Sequence, residues 1–397
     1  MTVGAALQQQ HNQKPKICVY TRAWRTSGAG LFAQDLVEGL VKVGARVTFV
    51  SPRIDSPFLE APHADLRRLR PPRERSDNAA APLLAARSLA RIVGGALALL
   101  RARFSNRVFV FTIPDPLPFT VPLMFLLRMT GARLVFVAHD PVPHAWRLPK
   151  NWRRLEHGAH GACYRLASHV VALSEPTRLK LLESYPGLKT PIDVIEHGEF
   201  DMGEPVAPAG TGQLLVFGTI RRNKGVLESI AGVIAARHAG VPVKLIVAGE
   251  AHREDPSYTD LCHALANTAP DLVEMRVGYV DEAALPHLVA ASDALLMPYS
   301  SFFSQSGVAI LAASNARPII ASAAGGIGTL LAEGMPSVLI GEPITAGSVA
   351  EAVHSFFETP IALWYEKALA YRRSTMERRS WTAIATRYVA LSKALGA

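Results

Sequence analysis

Apolar positions along this chain recur in short strand-like runs that alternate with segments of helical spacing. Lys16–Ala23 (KICVYTRA) reads as a buried strand. It is followed by the turn Ser27-Gly28-Ala29-Gly30, a helix over Leu31–Val43 closed by Gly44, and a second strand, Arg46–Ser51. That order makes a βαβ unit. Residues 52–80, rich in Pro, Arg and Asp, read as a long loop or flap. The alternation resumes with strands Val108–Thr112, Leu134–Ala138, His169–Leu173 and Ile192–Ile195. Helices are expected over Pro82–Phe104, Pro118–Met129 and Lys150–Ala167. A further helix follows Ser174-Glu175-Pro176, with Ser174 as its N-cap.

From Asp201 to Gly212 the composition turns to Gly, Pro and Ala, which suits a linker. A second set of strands follows: Gln213–Phe217, Val243–Val247, Val273–Val277, Ala294–Met297, Pro318–Ala321 and Ser337–Ile340, with room for helices between them. The fold class expected is α/β, two Rossmann-like parallel-sheet domains facing one cleft. The boundaries read as a disordered lead-in 1–15, a first domain 16–200, a linker 201–212, a second domain 213–375 and a terminal segment 376–397.

The chain has 397 residues, 49% of them hydrophobic and 19% charged, which fits a globular protein with large cores. A net charge of +9 suits acidic partners: phosphorylated small molecules, nucleic acid or an anionic membrane. The basic residues are scattered without an aromatic platform, so nucleic acid is not expected as a partner. Cys18, Cys163 and Cys262 have neither disulfide nor metal-type spacing and point to a reducing, cytoplasmic compartment. The polar lead-in carries no secretory signal. The most apolar stretches, Ile92–Leu100 and Pro118–Leu127, fall short of the roughly 18 residues that a spanning helix needs. The arginines around Pro82–Phe104 admit two readings: solvated charges on a core-packed helix, or an interfacial helix drawn to anionic lipid on the inner face of the membrane.

Several strand ends carry candidate chemistry. Gly218-Thr219-Ile220-Arg221-Arg222-Asn223-Lys224-Gly225 joins a strand to the helix Val226–His238. A helix N-terminus with Arg and Lys beside it suits a diphosphate; a solvated basic turn is the alternative. The cluster Ser300-Ser301-Phe302-Phe303-Ser304-Gln305-Ser306-Gly307 leads into the helix Val308–Asn315 and offers hydroxyls and free N–H groups to an anion. His139-Asp140-Pro141-Val142-Pro143-His144 ends a strand buried on both faces, where ligands bind in open α/β sheets. A helix-capping Asp and a structural His would also fit. Gly28, Gly30 and Ala33 match the dinucleotide pattern G-x-G-x-x-A. Asp55 lies beyond Pro52, however, not at the tip of the second strand, and a glycine loop approaching a substrate needs the same residues.

Together these motifs resemble nucleotide-sugar-dependent glycosyltransferases of the GT-B fold, over nearly the whole chain. Gly218–Gly225 is similar to that family's phosphate loop, with Thr219 in place of the usual Arg and Arg221 available to compensate. Gly278-Tyr279-Val280 resembles the loop whose backbone holds the nucleobase. Arg317–Gly326 resembles the family's x-P-V-I-A-x-x-x-G-G strand and turn. Ser380-Trp381 and Arg387-Tyr388 resemble the terminal helix that crosses back to the first domain. The large retaining branch has two glutamates eight apart; here those positions are Phe303 and Leu311. Ser304–Val308 and the His139–His144 stretch instead resemble the branch of exopolysaccharide β-mannosyltransferases of the xanthan type.

The resemblance implies transfer of a sugar from a nucleotide sugar to a lipid-linked or oligosaccharide acceptor. Arg221, Lys224, Ser306 and Gly307 would hold the donor diphosphate, and Gly278, Tyr279 and Val280 the base. Gly28, Gly30 and His144 would line the acceptor or sugar loop. Asp140 would act as base in an inverting reaction, with His139 orienting sugar or phosphate. No cofactor or metal is expected, because cations and a helix dipole can stabilise the leaving charge. A nucleotide-sugar epimerase and a non-catalytic nucleotide-binding relative remain as alternatives.

Overall fold

The structure is a computed structural model that describes residues 14–23, 29–54, 56–72, 81–142, 150–252, 255–281 and 284–396. The lead-in through residue 13 and two expected site residues, Gly28 and His144, lie outside the described residues. The chain divides into two units. The first comprises Met1–Leu173, Arg178–Gly198 and Ser380–Ala397; the second comprises Ser174–Thr177 and Glu199–Arg379.

The first unit holds a seven-stranded parallel sheet in the order β3-β2-β1-β4-β5-β6-β7. Its strands are β1 (Lys16–Thr21), β2 (Arg46–Val50), β3 (Leu66–Leu69), β4 (Val108–Ile113), β5 (Arg133–Ala138), β6 (His169–Ala172) and β7 (Ile192–Val194). The central strands are covered on both faces, as parallel sheets require. On one face Ile17, Val19, Val110 and Val137 pack with Phe32, Leu36 and Leu40 of the helix Ala29–Lys42, and with Ile384 and Tyr388 of the helix Trp381–Ala394. On the other, Cys18, Phe109 and Phe136 meet Leu99 of the helix Ala81–Arg103, Met124 and Leu127 of Leu117–Met129, and Tyr164 of Arg153–Leu166.

Two expectations are corrected here. Residues 52–80 are not all loop: Ser56 accepts from the Leu59 N–H to cap a short helix, Pro57–Glu60, and Leu66–Leu69 adds β3 to the sheet edge. Leu-Arg-Arg-Leu is too short and too charged to read as a strand, and neighbouring β2 supplies what its own pattern lacks. The second correction concerns the helix after it. The helix Ala81–Arg103 runs for 23 residues, and Pro82–Arg103 within it is long and apolar enough to cross a membrane by length and composition, where the stretch Ile92–Leu100, read from the sequence, is expected to fall short. Its inner side is committed to the fold. Ile92, Leu99 and Ala102 are buried, and Arg91 is no solvated charge: it is 3% exposed and ion-paired to buried Asp115, which also accepts from the Tyr20 hydroxyl.

The second unit holds a six-stranded parallel sheet in the order β10-β9-β8-β11-β12-β13. Its strands are β8 (Gln213–Phe217), β9 (Lys244–Gly249), β10 (Val273–Val277), β11 (Ala294–Met297), β12 (Ile319–Ala321) and β13 (Ser337–Leu339). The segment 201–212 is fastened to this unit. Buried Asp293 accepts from the N–H of Gly210 at 3.0 Å and of Gly212 at 2.7 Å. The buried Arg317 guanidinium donates to the Val206 carbonyl at 2.7 Å. The long helix Ile361–Arg379 stops at Ser380, whose hydroxyl accepts from the Ala383 N–H and caps Trp381–Ala394. The chain thus returns to the first unit, as the resemblance implies.

Candidate active site

In the second unit the carboxyl ends of three adjacent strands carry a row of glycines. Gly218 follows β8, Gly249 ends β9 and Gly278 follows β10. The Gly218 N–H donates to the Ala248 carbonyl and the Gly278 N–H to the Gly249 carbonyl. From Gly218 the chain makes one short turn, Arg222–Lys224, and enters the helix Val226–His238 through Gly225. Only glycine serves at the two ends of this loop. Gly225 has φ +63°, and a Cβ there would lie 2.2 Å from the Pro298 carbonyl oxygen; one on Gly218 would lie 2.6 Å from Lys224 Nζ.

The three cations of this loop have different fates. Arg222 is exposed and pairs with Asp255 at 2.7 Å, so it serves the loop's structure. Lys224 is 8% exposed. Its Nζ is 3.4 Å from the Phe217 carbonyl and 5.5 Å from the centroid of the Tyr299 ring. Burial, and then the charge of Arg221, pull its pKa down from the usual 10.5 to about 7. Arg221 keeps a buried Nε without a hydrogen-bond partner. Buried Lys224 thus lies within reach of the charge of half-buried Arg221. Among the described residues no carboxylate forms a salt bridge with either, an arrangement that calls for an anionic ligand.

The Ser306/Gly307 helix entrance belongs to the same neighbourhood. Ser306, 2% exposed, caps the helix Gly307–Ser314 by accepting from the Ala309 N–H at 3.3 Å. Burial raises the pKa of the Tyr299 phenol, while Arg221 and a hydrogen bond to Ser306 act in the opposite sense. Tyr299 is therefore the side chain around which Arg221, Lys224 and Ser306 gather. It lies two residues beyond the end of β11, at a position the motifs did not single out. Gln305 is a second such residue: its Nε2 is buried without a partner beside Gly326. Its signal was present in the Ser/Gln/Gly cluster but not separable from capping. The two positions where acidic residues were sought differ in kind. Phe303 is 42% exposed, whereas Leu311 is packed in the core of the second unit.

Gly278, Tyr279 and Val280 line a cavity of about 710 Å³ together with Ile246, Arg276 and His287. Its mouth is partly aromatic, since Tyr279 is 46% exposed.

In the first unit, His139 and Asp140 leave the end of β5, and Gly30 lies in the first turn of the helix Ala29–Lys42. Phe32 of that helix meets His139 edge-on with centroids 4.8 Å apart, and it touches His197 at 5.3 Å and Trp381 at 5.3 Å. Burial, then neighbouring His197, lower the His139 pKa to about 4, with Asp140 opposing. The imidazole is therefore neutral near pH 7, and its Nε2 is buried without a partner. A neutral ring suits a sugar hydroxyl better than a phosphate. The Tyr164 hydroxyl donates to the carbonyls of Asp140 and Pro141, each at 3.3 Å, and so fixes the backbone from which the Asp140 carboxylate projects. Glu199, just beyond His197-Gly198, has a pKa raised to about 7 by burial, against the pull of Arg372.

Comparison with known proteins decides the family. Residues 26–198 match the model of Glycosyltransferase Family 4, and residues 211–359 match that of Glycosyl transferases group 1. The chain belongs to the group 1, family 4-like glycosyltransferases. It is 28% identical over 243 residues to glycogen synthase of Mycobacterium tuberculosis, a match spanning 59% of this chain and 56% of that relative. Among solved structures it is similar to HepE of Anabaena in complex with UDP and glucose, with a TM-score of 0.70 and 15% identity, covering 96% of this chain and 100% of that one. It is also similar to sucrose-phosphate synthase from Thermosynechococcus elongatus, with a TM-score of 0.73 and 18% identity, covering 96% and 99%. At these identities the two structures establish the fold: this glycosyltransferase has the two parallel-sheet Rossmann-like domains of GT-B.

Proposed function

We propose that this glycosyltransferase moves a sugar from a nucleoside diphosphate donor to a lipid-linked or oligosaccharide acceptor, in exopolysaccharide or other cell-surface glycan synthesis on the cytoplasmic side. The observation that carries the reading is the buried Lys224 beside half-buried Arg221, neither with a salt-bridged carboxylate among the described residues. The diphosphate supplies the missing negative charge, and the Ser306/Gly307 helix entrance adds its N–H groups. These cations stabilise the departing diphosphate in the role that a metal has in other enzymes. The cavity beside Tyr279 takes the base. HepE was solved with UDP and glucose, so a uridine donor is the first to try.

In the reaction, the acceptor oxygen forms a bond to the anomeric carbon. The carbon–oxygen bond to the diphosphate breaks, and its electron pair leaves with the nucleotide. Asp140 takes the proton of the attacking hydroxyl, and neutral His139 orients the sugar. The chain carries Phe303 and Leu311 where the retaining branch has glutamates, which favours inversion and the β-mannosyltransferase-like branch.

A thermal-shift screen against nucleoside diphosphates and their sugars tests the donor site. A ligand at 100 times its dissociation constant adds about 2.7 kcal/mol of stability. No shift with any nucleotide would remove the reading. An epimerase on the same fold would convert its donor without an acceptor, so acceptor-dependent release of nucleoside diphosphate separates the two.

A further inference from the structure

We propose that the outer surface of the first unit's helical layer docks on an anionic lipid bilayer, with the helix Ala81–Arg103 lying along the headgroup boundary. The proposal rests on the lipid-linked acceptor read above and assigns the surface that brings the enzyme to it.

The helix Ala81–Arg103 reverses the usual order of a surface helix. Arg91, at its middle, faces inward and pairs with Asp115. Outward positions of the helix are apolar: Leu89 is 52% exposed, Val93 48% and Leu97 61%. The neighbouring helix Leu117–Met129 continues the surface with Phe119, Phe125 and Met129, exposed by 46%, 55% and 70%. Isolated exposed apolar residues are ordinary, but a continuous face along two packed helices marks a contact surface.

Charge selects the occupant. Residues 81–133 contain seven arginines and one carboxylate, Asp115, which is buried. Arg101 near the end of the first helix and Arg128 near the end of the second are exposed beside the apolar face. The Trp152 and Leu155 side chains, with Arg153 and Arg154 between them, extend the same chemistry to the helix Arg153–Leu166, which packs on Leu117–Met129. A 23-residue helix is about 34 Å long at 1.5 Å per residue. An elongated apolar strip with a rim of one sign fits a flat anionic surface, where the apolar side chains enter the acyl boundary and the arginines meet headgroups.

Sedimentation of the full chain with vesicles tests this. Phosphatidylcholine vesicles with and without phosphatidylglycerol are compared at low and high salt. The wild type should pellet with the phosphatidylglycerol vesicles at low salt, stay in solution with phosphatidylcholine alone, and be released by salt. Val93→Gln/Leu97→Gln and, separately, Arg101→Glu should each weaken vesicle binding by about tenfold or more. Their melting curves and nucleotide-induced shifts should match the wild type. A wild type that stays in solution with both vesicles, or variants that bind as well as it does, would overturn the proposal. So would a wild-type dimer that Val93→Gln/Leu97→Gln converts to monomer, since the face would then be a contact between copies. A wild type that binds no vesicle yet shows the nucleotide shift rejects the docking surface alone. Vesicle binding without any nucleotide shift rejects the transferase reading alone.

Discussion

The ammonium group of Lys224 lies 5.5 Å from the centroid of the Tyr299 ring, and neither it nor adjacent Arg221 has a carboxylate salt-bridge partner among the described residues. The fold thus holds a buried ammonium group beside a half-buried guanidinium of the same sign, at a cost to its own stability.

Replacing Lys224 with Met should therefore separate stability from binding. The folded pKa of about 7 lies below the ordinary 10.5, so the penalty is full below pH 7 and is relieved as the pH rises toward 10.5. Lys224→Met should melt higher than the wild type at pH 6, with the difference shrinking at higher pH. Its affinity for nucleoside diphosphate should fall by about tenfold or more, the loss of one charge-assisted contact worth about 1.5–3 kcal/mol. Melting curves and nucleotide titrations at pH 6 and pH 9 check both arms. Unchanged nucleotide affinity would exclude this loop from the donor site.

Asp140→Asn should bind donor as the wild type does and transfer about 10²–10⁴-fold more slowly, because the amide cannot take a proton. Tyr164 holds the Asp140 backbone and not its carboxylate, so the substitution leaves the loop in place. The wild type should form a β-linked product from an α-linked donor, read by the anomeric coupling in NMR. An α-linked product would reassign Asp140 to sugar binding.

The His139 pKa of about 4 lies below the unperturbed 6.5. Its contribution to stability is thus present above pH 6.5 and is lost as the pH falls through 4. Denaturation between pH 7.5 and pH 4 should show a steeper loss in the wild type than in His139→Gln. Parallel curves would mean that the ring is not held neutral.

The pair Arg91 and Asp115 is buried with the Tyr20 hydroxyl on the same carboxylate. Arg91→Met should destabilise the first unit by about 3–5 kcal/mol by stranding that charge. Adding Asp115→Asn should restore much of the loss. Chemical denaturation of the single and double variants measures it, and strict additivity of the two losses would refute the pairing.

Strand positions in both units were legible because parallel strands buried on two faces read as unbroken apolar runs. Val108–Ile113 and Leu295–Met297 lie in such runs. The turn Gly218–Gly225 was legible as a strand-to-helix connection because glycines bracket it, and the structure places it between β8 and the helix Val226–His238. Other features depend on partners distant in sequence. Leu66–Leu69 becomes a strand only because β2 offers it an edge. Arg91 points inward only because Asp115 waits there, 24 residues on. Tyr299 gains its place from the loop of Arg221 and Lys224 and from Ser306, which meet around it. Arg222 and Arg221 are neighbours with opposite duties, and only Asp255 tells them apart.

The first unit is closed by Ile384, Ala385 and Tyr388, which complete a core begun by Ile17 and Val19. Residues of that core therefore leave the ribosome far apart in time, with the second unit made in between. The second unit can form while the chain is still growing. The first must wait with an open face until the helix Trp381–Ala394 arrives. Truncation before Trp381 should consequently strike the first unit, while the second unit, which ends at Arg379, keeps its core.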